Sequence, residues 1–80
     1  MKLTKKSIQF CIDTVAARVA QKIAEERKMS HTEALRFFIA SKTYNLLIEP
    51  KSYLFLESAE YTLDMLDAEI KGDKARWLEV

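Results

Sequence analysis

Among the 80 residues there is one glycine, one proline, one cysteine and one histidine, and each scarcity excludes something. A lone cysteine has no intrachain partner, so a disulfide scaffold is ruled out. One Cys and one His cannot fill the four ligand positions of a structural zinc site. With Gly72 as the only glycine there is neither a phosphate-cradling loop nor a dinucleotide fingerprint. No apolar run reaches ten residues, which leaves no membrane span and no signal-peptide core. A free thiol without an export signal points to the cytoplasm.

What is present is charge and apolar surface. Thirteen Lys or Arg stand against twelve Asp or Glu, but unevenly. Residues 1–48 hold nine basic and four acidic side chains, hence +5; residues 49–80 hold four and eight, hence −4. The basic front and acidic back can attract each other within a chain or between chains, or leave the front open to a polyanion. At this length a domain buries only about 60–65% of the surface its unfolded form exposes. Yet 49% of the residues are hydrophobic, so a partner subunit would help to cover them.

The pattern predicts a single all-α domain over 1–80 with three main helices and an extended connection. Ile8, Ile12, Val15, Val19 and Ile23 recur at steps of three and four, with alanines beside them, predicting a helix over 7–28. Ser7 or Thr4 is its candidate N-cap. Ser30-His31-Thr32-Glu33 is a capping box that opens a second helix, expected over 31–48 and ended by Pro50. Tyr53-Leu54-Phe55-Leu56 is too short an apolar run for a helix and reads as extended, within a connection near 51–57. Ser58 caps a third helix over 59–71, and Gly72 stands where a left-handed C-cap belongs. The expected core is Ile8, Ile12, Val15, Val19, Ile23, Leu35, Phe38, Ile39, Leu46, Leu47, Leu54, Leu56, Leu63, Leu66 and Ile70.

No constellation for catalysis stands out, and no cofactor or metal ligand set is expected. Cys11 falls on the apolar stripe of the first helix, whereas His31 opens the second, so a thiolate pair lacks its orienting group and oxyanion site. Glu60, Asp64 and Asp67 share one helical face, but nothing apolar is interleaved to separate their pKa values, so they read as a solvated stripe. Phe10, Tyr53, Phe55 and Trp77 are the aromatics that a small core has least room for. They are the candidate contributors to a homodimer or partner interface.

Residues 7–12 also alternate: Ile8, Phe10 and Ile12 on one side, Ser7, Gln9 and Cys11 on the other. With a helix over 14–27, a turn at Lys28-Met29 and the Ser30 cap, this resembles the ribbon-helix-helix family of repressors and antitoxins. That resemblance implies a strand paired with its twin in the DNA major groove. Ser7 and Gln9 would then face bases, Lys5 or Lys6 reach phosphates, and Ser30 cap the second helix over the backbone. The glycine usual in the turn is replaced by Lys28, and the strand's outward face lacks the Arg and Lys that do most such work. Residues 7–12 thus remain open between helix and strand.

A second resemblance covers residues 37–66. Ser41-Lys42-Thr43-Tyr44-Asn45-Leu46-Leu47, then Pro50-Lys51-Ser52, Leu54, Leu56, Glu57-Ser58 and Tyr61, is similar to small bacterial helical domains of unknown function encoded beside toxin-like partners. It implies no catalytic residue, and a helical module that binds another protein. The expected function is therefore a non-enzymatic protein-binding module, the antitoxin-like component of a toxin–antitoxin-type pair, with a DNA-binding regulator as the alternative.

Overall fold

The computed structural model describes residues 4–72. Every regular element among them is helical: α1 Lys5–Arg27, α2 His31–Ile39, α3 Lys42–Leu47 and α4 Ala59–Lys71, with two single 3₁₀ turns, Pro50–Ser52 and Leu54–Leu56, between α3 and α4. The all-α expectation holds, with α1, α2 and α4 as its three main helices.

Helix α1 settles the open question about residues 7–12. Thr4, in extended backbone, accepts the Ser7 N–H on its hydroxyl at 3.1 Å, so the chain turns helical at Lys5 and stays so through the segment that could have been a strand. Buried Ile12, Val15, Val19 and Ile23 form the centre of the core. Ala16 and Ala20 are buried four residues apart on α1, and Ala34 is buried on α2. Such small side chains let the two helices approach closely, making an α-helical hairpin with α1 as its long arm. Its turn is closed by Lys28 in the left-handed region (φ 54°), where its N–H donates to the Ala24 carbonyl.

The helix expected over 31–48 is two helices. Ser41 adopts extended backbone (ψ 158°), and its side chain serves both ends of the break. Its hydroxyl donates to the Phe38 carbonyl at 2.6 Å and accepts the Tyr44 N–H at 3.1 Å. A continuous helix would send the Lys42 and Thr43 N–H groups back to residues 38 and 39. Here the Glu69 carboxylate of α4 takes them instead, at 2.9 and 2.8 Å. The interruption redirects the chain so that α3 packs on α4 while α2 stays on α1.

The connection expected as extended near 51–57 is coiled into the two 3₁₀ turns. Pro50 supplies the fixed φ at the first helical position, and Glu49 caps the turn by accepting the Lys51 N–H at 3.2 Å. The Ser52 hydroxyl sits against the Leu46 and Glu49 carbonyls and accepts the Leu54 N–H, joining the end of α3 to both turns. Tyr53 links the turns in the left-handed region (φ 56°). The coil brings Leu54 and Phe55 inward, where both are buried against the core.

The core departs from expectation at a few positions. Ile39, Leu56 and Ile70 are exposed, because the break after α2, the 3₁₀ coil and the end of α4 turn them outward. Met65, Phe55 and several alanines take up the interior instead. Ile8, Leu35 and Leu46 are half-buried at its margin. Helix α4 begins at the Ser58 cap, which accepts the Tyr61 N–H at 3.1 Å, and ends at Gly72 in the left-handed region, as the sequence indicates.

Candidate functional site

Two surfaces combine exposed apolar side chains with a defined frame. The first is the corner made by the end of α3 and the 3₁₀ turns. Ile48, Tyr53 and Leu56 are all exposed there, Tyr53 to 59%. The Tyr53 ring lies 6.3 Å from that of Phe55, tilted by 39°, so the buried ring braces the exposed one. Glu49 and Glu57 border the corner and are exposed. The Tyr53 backbone is unusual: a non-glycine residue at φ 56° costs about 1 kcal/mol relative to an ordinary conformation. Two hydrogen bonds hold it there, its N–H to the Pro50 carbonyl at 3.1 Å and its own carbonyl accepting from Leu56 at 3.0 Å.

The second is a groove along α1 beside α2 and the start of α3, formed by two adjoining depressions of about 490 and 300 Å³ that share Asp13, Ala17 and His31. Phe10, Thr14, Arg18 and Gln21 line the first depression; Ala16, Leu35, Ile39 and Tyr44 line the second. Phe10 is 72% exposed, an aromatic ring left in water on a helix whose opposite face is the core.

Of the four aromatics expected at an interface, Phe10 and Tyr53 are on the surface, at different places. Phe55 is 3% exposed and belongs to the core; the 3₁₀ coil, which apolar periodicity does not announce, draws it inside and removes it as a surface contributor. Trp77 lies outside the described residues. The residues of the DNA-binding alternative are exposed but not brought together as that reading requires. On a helix Ser7 and Gln9 point about 160° apart rather than to one side. Ser7 is engaged with Thr4, its hydroxyl 3.0 Å from that of Thr4. The Gln9 amide donates to Asp13 at 2.8 Å. Lys5 and Lys6 form the first turn of α1, and Ser30 caps α2, with the reciprocal Ser30–Glu33 bonds in place. The strand of a ribbon-helix-helix dimer is thus not formed over 7–12.

Cys11 packs half-buried at the core margin, whereas His31 lines the groove. The acidic face of α4 is tied to α1: Lys22 Nζ lies 3.3 Å from Glu60 Oε1, so the opposite charges of the two halves meet within one chain. The Glu60 carboxyl is held below its ordinary value, first by its own backbone N–H in the first turn of α4, then by Lys22 and Arg18. Among the described residues no three His, Cys, Asp or Glu side chains are grouped to hold a metal ion. Nor, among them, is any helix long and apolar enough to cross a membrane.

Sequence reasoning placed Tyr53 on its list for want of room in the core, but missed its conformation, which has no signal when the residue is not Gly or Asn. It also missed the groove, because Ile39 was assigned to the core and Ala17 is unremarkable alone. No family model matches the chain, and neither a curated protein nor a solved structure matches it.

Proposed function

We propose that this chain is a non-enzymatic, cytoplasmic protein-binding module, the antitoxin-like component of a toxin–antitoxin-type pair, which binds its partner through the corner at Ile48, Tyr53 and Leu56. Tyr53 carries the reading: it stands at a left-handed position where Gly or Asn would be less strained, yet its ring is mostly in water. Strain kept at an exposed aromatic has no return within the fold beyond one ring contact. Binding supplies one, since aromatic anchors in a desolvated pocket dominate interface energetics. The Glu49 and Glu57 rim suits a partner with basic residues around an apolar pocket. Phe10, on a separate face, is then the contributor to a homodimer.

Tyr53→Asn separates function from folding. Asn tolerates the left-handed region, so the variant should keep or slightly gain stability, while partner affinity falls by about 10- to 100-fold for loss of an aromatic anchor. The assay is co-purification with the product of the neighbouring reading frame, followed by titration calorimetry. Undiminished affinity in Tyr53→Asn would remove the corner from the interface. Failure of the wild type to bind that product would overturn the paired-partner reading. Sedimentation equilibrium of wild type and Phe10→Ser tests the dimer, which should weaken in the variant.

A further inference from the structure

The exposed side of α1 repeats with the period of a helix seam. Phe10, Thr14, Ala17 and Gln21 follow one another at steps of four, three and four. All four are exposed, and they project within about 60° of one another around the helix. Asp13 flanks this strip on one edge and Arg18 on the other, each about 40° beyond it. Helix α2 stands on the Asp13 edge, where Leu35 and Ile39 share the second depression with Asp13 and Ala17. Phe10 and Ile39, 72% and 47% exposed, leave large apolar surface in water beside the strip.

We propose that this strip packs against the same strip of a second copy, with the two α1 helices parallel about a two-fold axis, Phe10 on Phe10 and Ala17 on Ala17. The seam rests on the homodimer reading of Phe10, and gives that dimer its surface and its direction. Charge sets the direction. In a parallel pair the Asp13 edge of one helix meets the Arg18 edge of the other. Asp13 then pairs with Arg18 of the second copy, and the two-fold makes that pair twice. In an antiparallel pair each edge meets its own copy, bringing Asp13 towards Asp13 and Arg18 towards Arg18, a destabilising arrangement. Elsewhere along the parallel seam the facing edge positions are Lys6 with Cys11 and Ala20 with Glu25, so no like charges are opposed. Both charged partners are available. Asp13 accepts the Gln9 amide on Oδ1 at 2.8 Å, which leaves Oδ2. Arg18 is in no ion pair among the described residues; its influence on the Glu60 carboxyl comes behind that of Lys22, which lies 3.3 Å away. Thr14 and Ala17 are small enough for the two backbones to come close, and Phe10 and Ile39 lose water as they do.

Sedimentation equilibrium of the full chain reads the dimer, and an introduced thiol reads its direction. Asp13→Arg should weaken association about 10-fold, because it sets like charges together at both symmetric pairs. Asp13→Arg with Arg18→Asp should restore it. Restoration is specific to the parallel seam, since an antiparallel double variant would still oppose like charges. In a Cys11→Ser background, Ala17→Cys should give a disulfide-linked dimer on mild oxidation, because the parallel two-fold brings residue 17 onto its own copy. Asp13, Ala17 and Arg18 are exposed on α1, so far-ultraviolet circular dichroism should show native helix content in these variants. A wild-type dimer whose Ala17→Cys form does not cross-link, or whose charge swap is not restored, would overturn the parallel seam and leave the homodimer standing. A monomeric wild type would overturn both, and leave this face to a different protein.

Discussion

The Glu69 carboxylate holds Thr43 at two points, accepting its backbone N–H at 2.8 Å and its hydroxyl at 2.7 Å, across 26 residues of sequence. The same carboxylate takes the Lys42 N–H at 2.9 Å. A helix start needs acceptors for its first N–H groups and favours negative charge there. For α3 both come from α4, so this carboxylate sets the angle between the two helices. Ser41 supplies only the Tyr44 partner.

Glu69→Ala should therefore cost about 1–3 kcal/mol, since it removes the carboxylate that accepts from the Lys42 N–H and from the part-buried Thr43 N–H and hydroxyl. Urea denaturation gives the magnitude. Amide exchange gives the location, with faster exchange at Lys42 and Thr43 and little change along α1. Uniform acceleration along the whole chain, with none specific to α3, would count against this role.

Lys28 closes α1 in the left-handed conformation, at φ 54° and ψ 47°, without the glycine that position favours. Its side chain is exposed, so nothing is lost from the core on removing it. Lys28→Gly should raise stability by about 0.5–1 kcal/mol, the relief of a side chain in that region less the added freedom of the unfolded chain. Lys28→Val should lower it, because β-branching tolerates positive φ poorly. Equal melting temperatures for the two variants would contradict the strain argument.

Why some of this was legible in the sequence and some was not follows from the range of the forces. The Ser30–Glu33 box, the Ser58 cap and the Gly72 terminus are local, each decided within four residues, and all three are where the sequence places them. The apolar stripe of α1 is equally local in kind, and it decided residues 7–12 for helix over strand once Thr4 capped the start. The break at Ser41 is different. Its local half, a serine three residues before Tyr44, is written in the chain but hidden in an apolar run that reads as continuous helix. Its other half is Glu69, which no local pattern links to Thr43. The coil at 50–56 depends likewise on the Ser52 hydroxyl reaching back to Leu46, and with that coil went the burial of Phe55 and the exposure of Leu56. Of the candidate surface, Tyr53 was found by elimination, while its backbone and the groove at Ala17 needed the fold.

Glu60 gives a pH-dependent observable. Its own backbone N–H and then Lys22 favour the charged carboxylate, so its folded-state pKa lies below the ordinary 4.5. A depressed carboxylate contributes stability that is present above its unfolded pKa and is lost as pH falls through the folded one. Lys22→Gln should move the Glu60 titration up, yet leave it below 4.5 because the backbone donor remains. Carbon-detected NMR of the carboxyl follows this directly, and an unmoved midpoint would disprove the Lys22 contribution. The melting temperature should scarcely change, as the Glu60 side chain is well exposed and water screens the pair.

Two buried threonines should respond to the same substitution with opposite signs. Thr43 and Thr62 are both fully shielded from water. The Thr43 hydroxyl donates to Glu69 at 2.7 Å, whereas the Thr62 Oγ1 has no hydrogen-bond partner among the described residues. Valine keeps the branched shape and replaces the hydroxyl by a methyl group. At Thr43 it removes a charge-assisted hydrogen bond and should cost about 1.5–3 kcal/mol. At Thr62 it replaces an unpaired polar group by an apolar one and should raise stability by about 1 kcal/mol. In a domain of this size each kcal/mol shifts the melting temperature by about 4–8 °C, well within the reach of calorimetry. Leu63 and Leu66, near Thr62 on α4, are buried as well. A loss of stability in Thr62→Val comparable to that in Thr43→Val would show that its hydroxyl finds an acceptor after all, such as the Ser58 carbonyl one turn earlier on α4.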